Sequence, residues 1–253
     1  MSTTHNDQAV TSTAVKRVPM TALRKTSLAA GVLYILTFVS IPTLALYGPV
    51  KEPDYITGAG PDTAVLFGGI LEMIVALACI GTAVALYPVV RRQNEAVALG
   101  FVGVRVLEAA MIVSGIASLL SIVTLRQAGA GPDALITGHT LVAQYSNTFM
   151  LSQALLPAIN ALLLGSLMYK SRLVPRVLPV IGLIGAPLLI ASVGAKYFGL
   201  YDEQSAWSLL GAVPIAVWEF SLGVYLVVKG FKPCRITAEI TAATTPVHPK
   251  PLA

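Results

Sequence analysis

Four charged side chains interrupt otherwise apolar stretches of this sequence: Glu72, Arg105, Glu108 and Glu219. Two amides, Gln153 and Asn160, stand in a further apolar stretch. Groups of these types can form ion pairs, bind a proton or a cation, or do acid–base work as paired carboxylates. A charge inside a membrane span costs about 2.5–3.5 kcal/mol on insertion scales, so each must face protein or water rather than lipid. Arg105 and Glu108 are three residues apart and share a helix face. Gln153 and Asn160, seven apart, align with each other. Glu219 shares its face with Ser208, Ala212 and Gly223, and Glu72 shares its face with Gly68, Ala76, Cys79 and Ala83. Three acids thus accompany one arginine. Arginine stays charged, and an apolar interior disfavours unpaired ions. Arg105 is therefore expected to pair with Glu108, Glu219 or both, leaving at least one acid protonated, hydrated or holding a cation. A functional reading makes this a proton- or cation-linked site. A structural reading makes it an ion pair with neutral, hydrogen-bonded acids that fix helix register.

The helical rise of about 1.5 Å per residue gives each group a depth. Arg105, Glu108, Asn160 and Glu219 fall within roughly 8 Å of the bilayer midplane, towards the cytoplasmic side. Glu72 falls roughly 7 Å to the outer side. Pro157 precedes Asn160 by three residues and Pro214 precedes Glu219 by five. Each frees a backbone carbonyl near a polar group, a habit of transporters and of membrane helices in general. Other chemistry lacks its motifs. There is no His-Glu-x-x-His, phosphate loop, Gly-x-Ser-x-Gly or Cys-x-x-Cys. No span holds a histidine, and His139 stands alone in a loop. Cys79 and Cys234 lack ligand spacing. The sequence therefore offers no catalytic residue, no metal site and no cofactor.

The elements that position these groups are long apolar runs. The chain has 253 residues, 55% hydrophobic and 11% charged, against about 25% charged in an ordinary soluble domain. A span needs about 20 mostly apolar residues. Six runs qualify, near 28–47, 64–90, 96–125, 148–169, 176–198 and 206–228. Continuous rather than alternating hydrophobicity predicts helices, hence an all-α polytopic transmembrane bundle. Residues 1–26 form an N-terminal tail, 27–232 the six-helix domain, and 233–253 a disordered tail rich in Thr and Pro. Residues 48–63 read as turns, and 133–147 as a segment lying along the interface. Tyr47, Tyr87, Tyr169 and Tyr225 near span ends suit aromatic belts.

Charge sets the orientation. With the N-terminus inside, Lys16, Arg17, Arg24, Lys25, Arg91, Arg92, Lys170, Arg172, Arg176, Lys229, Lys232, Arg235 and Lys250 are cytoplasmic. Only Lys51, Arg126 and Lys196 are outside. Basic residues are retained inside, so both termini are expected in the cytoplasm. The net charge of +5 is thus a topology signal with contact to anionic lipid, and no nucleic acid partner is expected. The third span carries small residues opposite its charged face: Gly100, Gly103, Ala110, Ser114, Ser118 and Ser121. They make it a candidate central helix, or the seat of an oligomer contact.

Several segments resemble a bacterial membrane-protein family. They are Leu71-Glu72, Ala78-Cys79-Ile80-Gly81-Thr82-Ala83-Val84-Ala85-Leu86 and Arg92-Gln93-Asn94-Glu95. Further on come Arg105-Val106-Leu107-Glu108, Ser171-Arg172-Leu173-Val174-Pro175-Arg176, Ile181-Gly182-Leu183-Ile184-Gly185-Ala186-Pro187, Trp218-Glu219 and Val228-Lys229-Gly230-Phe231-Lys232-Pro233. The resemblance, from about Leu23 to Pro233, is to the domain of unknown function 4386 family. It implies a multi-span protein of the bacterial inner membrane and supplies no site residues. The leading expectation is a protein that binds or moves a small solute, proton or monovalent cation at Arg105, Glu108 and Glu219, with Asn160, Gln153 and Glu72 nearby. The alternatives are a non-transporting scaffold or regulatory protein, and an intramembrane enzyme.

Overall fold

The computed structural model describes residues 20–200 and 205–244. The expectations for residues 1–19, 201–204 and 245–253 lie outside the described residues. The helices are α1 (Ala22–Leu36), α2 (Thr43–Leu46), α3 (Thr63–Val90), α4 (Glu95–Gln127), α5 (Leu135–Met150), α6 (Leu156–Ser171), α7 (Val177–Tyr197), α8 (Ala206–Val228) and α9 (Arg235–Thr244). Among the described residues, six spans are long and apolar enough to cross a membrane: Ala22–Leu46, Thr63–Val90, Glu95–Gln127, Pro132–Ser171, Val177–Tyr197 and Ala206–Val228. Large apolar side chains such as Leu44, Leu77, Val84, Ile184 and Leu210 are exposed on them. That is a stable arrangement for helices whose outer faces meet hydrocarbon.

The spans close into a ring. α1 packs on α3, α3 on α4, α4 on α6, α6 on α7, α7 on α8, and α8 back on α1. Phe101, Leu86, Leu164, Met168, Trp218 and Leu222 fill the principal core. Close approach rests on glycine. A side chain at Gly182 would strike the Trp218 ring at 2.8 Å, and one at Gly31 would meet the Gly223 carbonyl at 2.7 Å. Starts are capped where the sequence supplies an oxygen: the side chains of Thr21 and Asn94 accept from Arg24 N–H and Val97 N–H.

Three features differ from expectation. α4 is one stave of the ring rather than a central helix. It buries Arg105 and Glu108 and leaves Gly103, Ala110 and Ser121 exposed. The stretch 133–147 is not a separate segment. It forms most of α5, packs on α4 and runs into α6 through a π-helical turn, Leu151–Leu155. The turn has a local cause: Pro157 lacks the N–H that would bond to the Gln153 carbonyl, and Leu156 N–H bonds instead to Leu151 O. Lastly, the tail expected to be disordered is helical over Arg235–Thr244. Ile236 and Ile240, four apart, pack on the core, and Arg235 pairs with Glu239 at 2.8 Å. That amphipathic spacing outweighs the Thr-rich composition.

Candidate intramembrane polar site

Arg105 is 1% exposed. The face it shares with Glu108 turns into the ring because the neighbouring positions, Phe101, Ala109 and Ile112, are the apolar ones that the core takes. Its Nη1 donates to Glu108 Oε2 at 3.1 Å, and its Nη2 donates to Glu219 Oε1 at 2.8 Å. Nη1 also lies 3.5 Å from Cys79 Sγ. Tyr34 and Phe101 present ring faces to the guanidinium at 5.1 and 6.0 Å. Asn160 Nδ2 donates to Glu108 Oε2 at 2.7 Å. Side chains from α1, α3, α4, α6 and α8 thus meet at one level. Arg105 Nε and Asn160 Oδ1 are buried without a hydrogen-bond partner among the described residues. They leave one donor and one acceptor unmatched in this cluster.

Glu72 belongs to a second cluster. Its carboxylate accepts from Tyr47 at 3.2 Å, Tyr145 at 3.0 Å and Gln153 Nε2 at 3.4 Å. Gly68, one turn earlier on α3, leaves the slot that the Tyr47 ring fills. The Tyr47 and Tyr145 rings meet edge to face, 5.3 Å between centroids. Lys51 Nζ stands 5.4 Å above the Tyr145 ring. Glu72 and Cys79 are seven residues apart on α3, which separates the two clusters by roughly 10 Å. Between them lies an apolar layer of Val75, Ala76, Ala109 and Ile112.

Of the six residues singled out in the sequence, the fold brings Arg105, Glu108, Glu219 and Asn160 together and pairs Gln153 with Glu72. The π-helical turn that contains Gln153 breaks the regular spacing between it and Asn160, and the two serve different levels. Sequence reasoning missed Tyr34, Tyr145 and Lys51 as participants and read Tyr47 only as a belt residue. For Cys79 a signal was present, since it lies on the face of Glu72.

This polar core falls within a stretch shared with other proteins. Residues 29–230 match a family described as domain of unknown function (DUF4386). The chain belongs to the DUF4386 family. That match takes in all four intramembrane charges, so both clusters lie inside the DUF4386 domain while α9 lies beyond it. No curated protein and no solved structure matches the chain.

Proposed function

We propose that this integral membrane protein binds one proton or one monovalent cation at the Glu108–Arg105–Glu219 cluster, in the service of handling a small solute or cation. One observation carries the reading. A single guanidinium bridges two carboxylates from two helices inside the bundle, which leaves one negative charge uncompensated. An apolar surround disfavours that charge, and a proton or small cation neutralises it. The unmatched Asn160 Oδ1, an acceptor, favours the same reading. Glu108 sits on α4 and Glu219 on α8, so occupancy would change how firmly α8 is tied to α4. The distribution of basic residues at the span ends supports an inner-membrane placement with both termini cytoplasmic.

A second reading has its own support. Arg105 is enclosed by its partners, and the apolar layer parts its cluster from Glu72. Such closure suits a scaffold or regulatory protein whose charges set packing. Thermal unfolding of the purified protein against pH and monovalent cation, for wild type and Glu219→Gln, separates the two. The binding reading expects a midpoint that moves with cation or with pH near neutrality and stops moving in the variant. A flat wild-type response assigns the charges to architecture.

A further inference from the structure

We propose that a cavity beside α9 binds a phosphate-bearing anion, with the headgroup of an anionic phospholipid as the source its position favours. The cavity has a volume of about 710 Å³, within the range of roughly 300–1,000 Å³ typical of small-ligand sites. It lies between the first turn of α1, the turn after α8 and one face of α9. α1 begins its span at Ala22 and α8 ends its span at Val228, which puts the cavity at the level of lipid headgroups.

The described lining has one sign of charge. Arg24 and Lys229 face the cavity, and none of the described residues that line it is Asp or Glu. Lys229 has no carboxylate partner among the described residues. Arg24 is held in place by donating Nη1 and Nη2 to the carbonyls of Leu226 and Val227. A guanidinium has five N–H donors, so hydrogens remain for an anion. α9 is oriented so that Ile236 and Ile240 pack on the core while Thr237, Ala238 and Thr241 line the cavity. Its acid, Glu239, is engaged by Arg235 outside the lining. Leu23 and Phe231 add apolar edges where a glycerol backbone and acyl chains would leave the site. Basic pockets at membrane-helix ends suit anionic headgroups.

The test is thermal unfolding of the full chain in detergent with dihexanoylphosphatidylglycerol, dihexanoylphosphatidylcholine or inorganic phosphate. The glycerol lipid should raise the midpoint at concentrations where the choline lipid does not. Lys229→Gln should raise the half-maximal concentration about fivefold, the worth of one basic contact at a membrane surface. Ala238→Phe fills the cavity without altering charge and should abolish the shift. Lys232→Gln, exposed and outside the lining, should leave it intact. A shift from inorganic phosphate with the same response to the variants keeps the site and makes its ligand a soluble phosphate. Equal shifts from both lipids, no shift from any probe, or equal loss in Lys229→Gln and Lys232→Gln would overturn the proposal.

Discussion

A guanidinium inside a membrane bundle needs partners, and Arg105 draws those of Nη1 and Nη2 from three helices. Each partner was placed by a different local rule. Glu108 arrives by i,i+3 spacing on the same helix, whereas Glu219 arrives through the packing of α8 against α1. Removing only the cation therefore leaves two carboxylates facing each other in an apolar surround. Breaking a buried ion pair from one side costs about 3–5 kcal/mol, while replacing the whole set with apolar side chains is close to neutral. Arg105→Leu is thus expected to lose about 3–5 kcal/mol of unfolding free energy in mixed micelles. The triple variant with Glu108→Leu and Glu219→Leu should regain most of it. It stays short of wild type by about 1 kcal/mol because Asn160 loses its acceptor. A triple variant as unstable as the single one would show that the loss comes from packing around Tyr34 and Phe101 rather than from charge.

Among the elements, α1 and α8 hold the cluster closed, and they do so through backbone contact. A Cβ at Gly31 would lie 2.7 Å from Gly223 O and 2.8 Å from Val227 N, atoms that cannot turn aside. Tyr34 follows Gly31 by three residues and lies under the Arg105 guanidinium, so the α1–α8 spacing also sets the distance of that ring. Gly31→Ala is expected to destabilise the protein by about 1–3 kcal/mol, the usual cost of overpacking a fitted contact. Gly103 on α4 is the control. Nothing lies within 4 Å of a Cβ built there, and alanine is the better helix former by about 0.5–1 kcal/mol. Gly103→Ala should therefore stabilise an isolated chain. Unfolding midpoints of the two variants in one detergent decide the matter. Destabilisation at Gly103 together with a fall in particle mass would mean that a second copy covers the small-residue face of α4.

At the scale of the whole molecule, the six spans were legible because lipid demands about 20 apolar residues at a stretch, and nothing else in the chain imitates that. The buried Arg105 cluster was legible for a related reason: a charge in such a run has nowhere to go but inward. What escaped depended on the path of the chain between spans. Tyr47 ends one apolar run and reads as a belt residue, but the turn through α2 lays its ring against Gly68 and its hydroxyl on Glu72. Tyr145 looked interfacial because the polar stretch around it hides that α5 continues into α6. The loop between α2 and α3 is pinned by a lock that no spacing announces. Arg126, near the end of α4, donates to Asp62 at 2.6 Å and to the carbonyls of Gly58 and Gly60 at 3.0 and 2.9 Å. The Tyr55 ring covers it at 4.3 Å. Burial opposes the charge on Asp62, but hydrogen bonds from Gln127 and Tyr55 and the nearby Arg126 outweigh it and hold the carboxyl below its usual range. Burial, then the bond to Asp62, pushes the Tyr55 hydroxyl up to about 12. The signs follow by linkage. An unfolded aspartate takes its proton near pH ~3.9, before the folded one does, so the Asp62 contribution is complete above that pH and is lost as the pH falls further. The Tyr55 contribution is complete below pH ~10 and is lost as the pH rises towards the folded value. Wild type and Asp62→Asn should therefore differ in unfolding midpoint by a constant amount from about pH 8 to 5, and the gap should narrow below about pH 4. Tyr55→Phe should in turn flatten the alkaline limb and, by removing one of the hydrogen bonds that lower Asp62, shrink the acid one. A gap for Asp62→Asn that ignores pH would mean that the loop is held by the backbone contacts of Arg126 alone, and that this end of the ring closes without its ion pair.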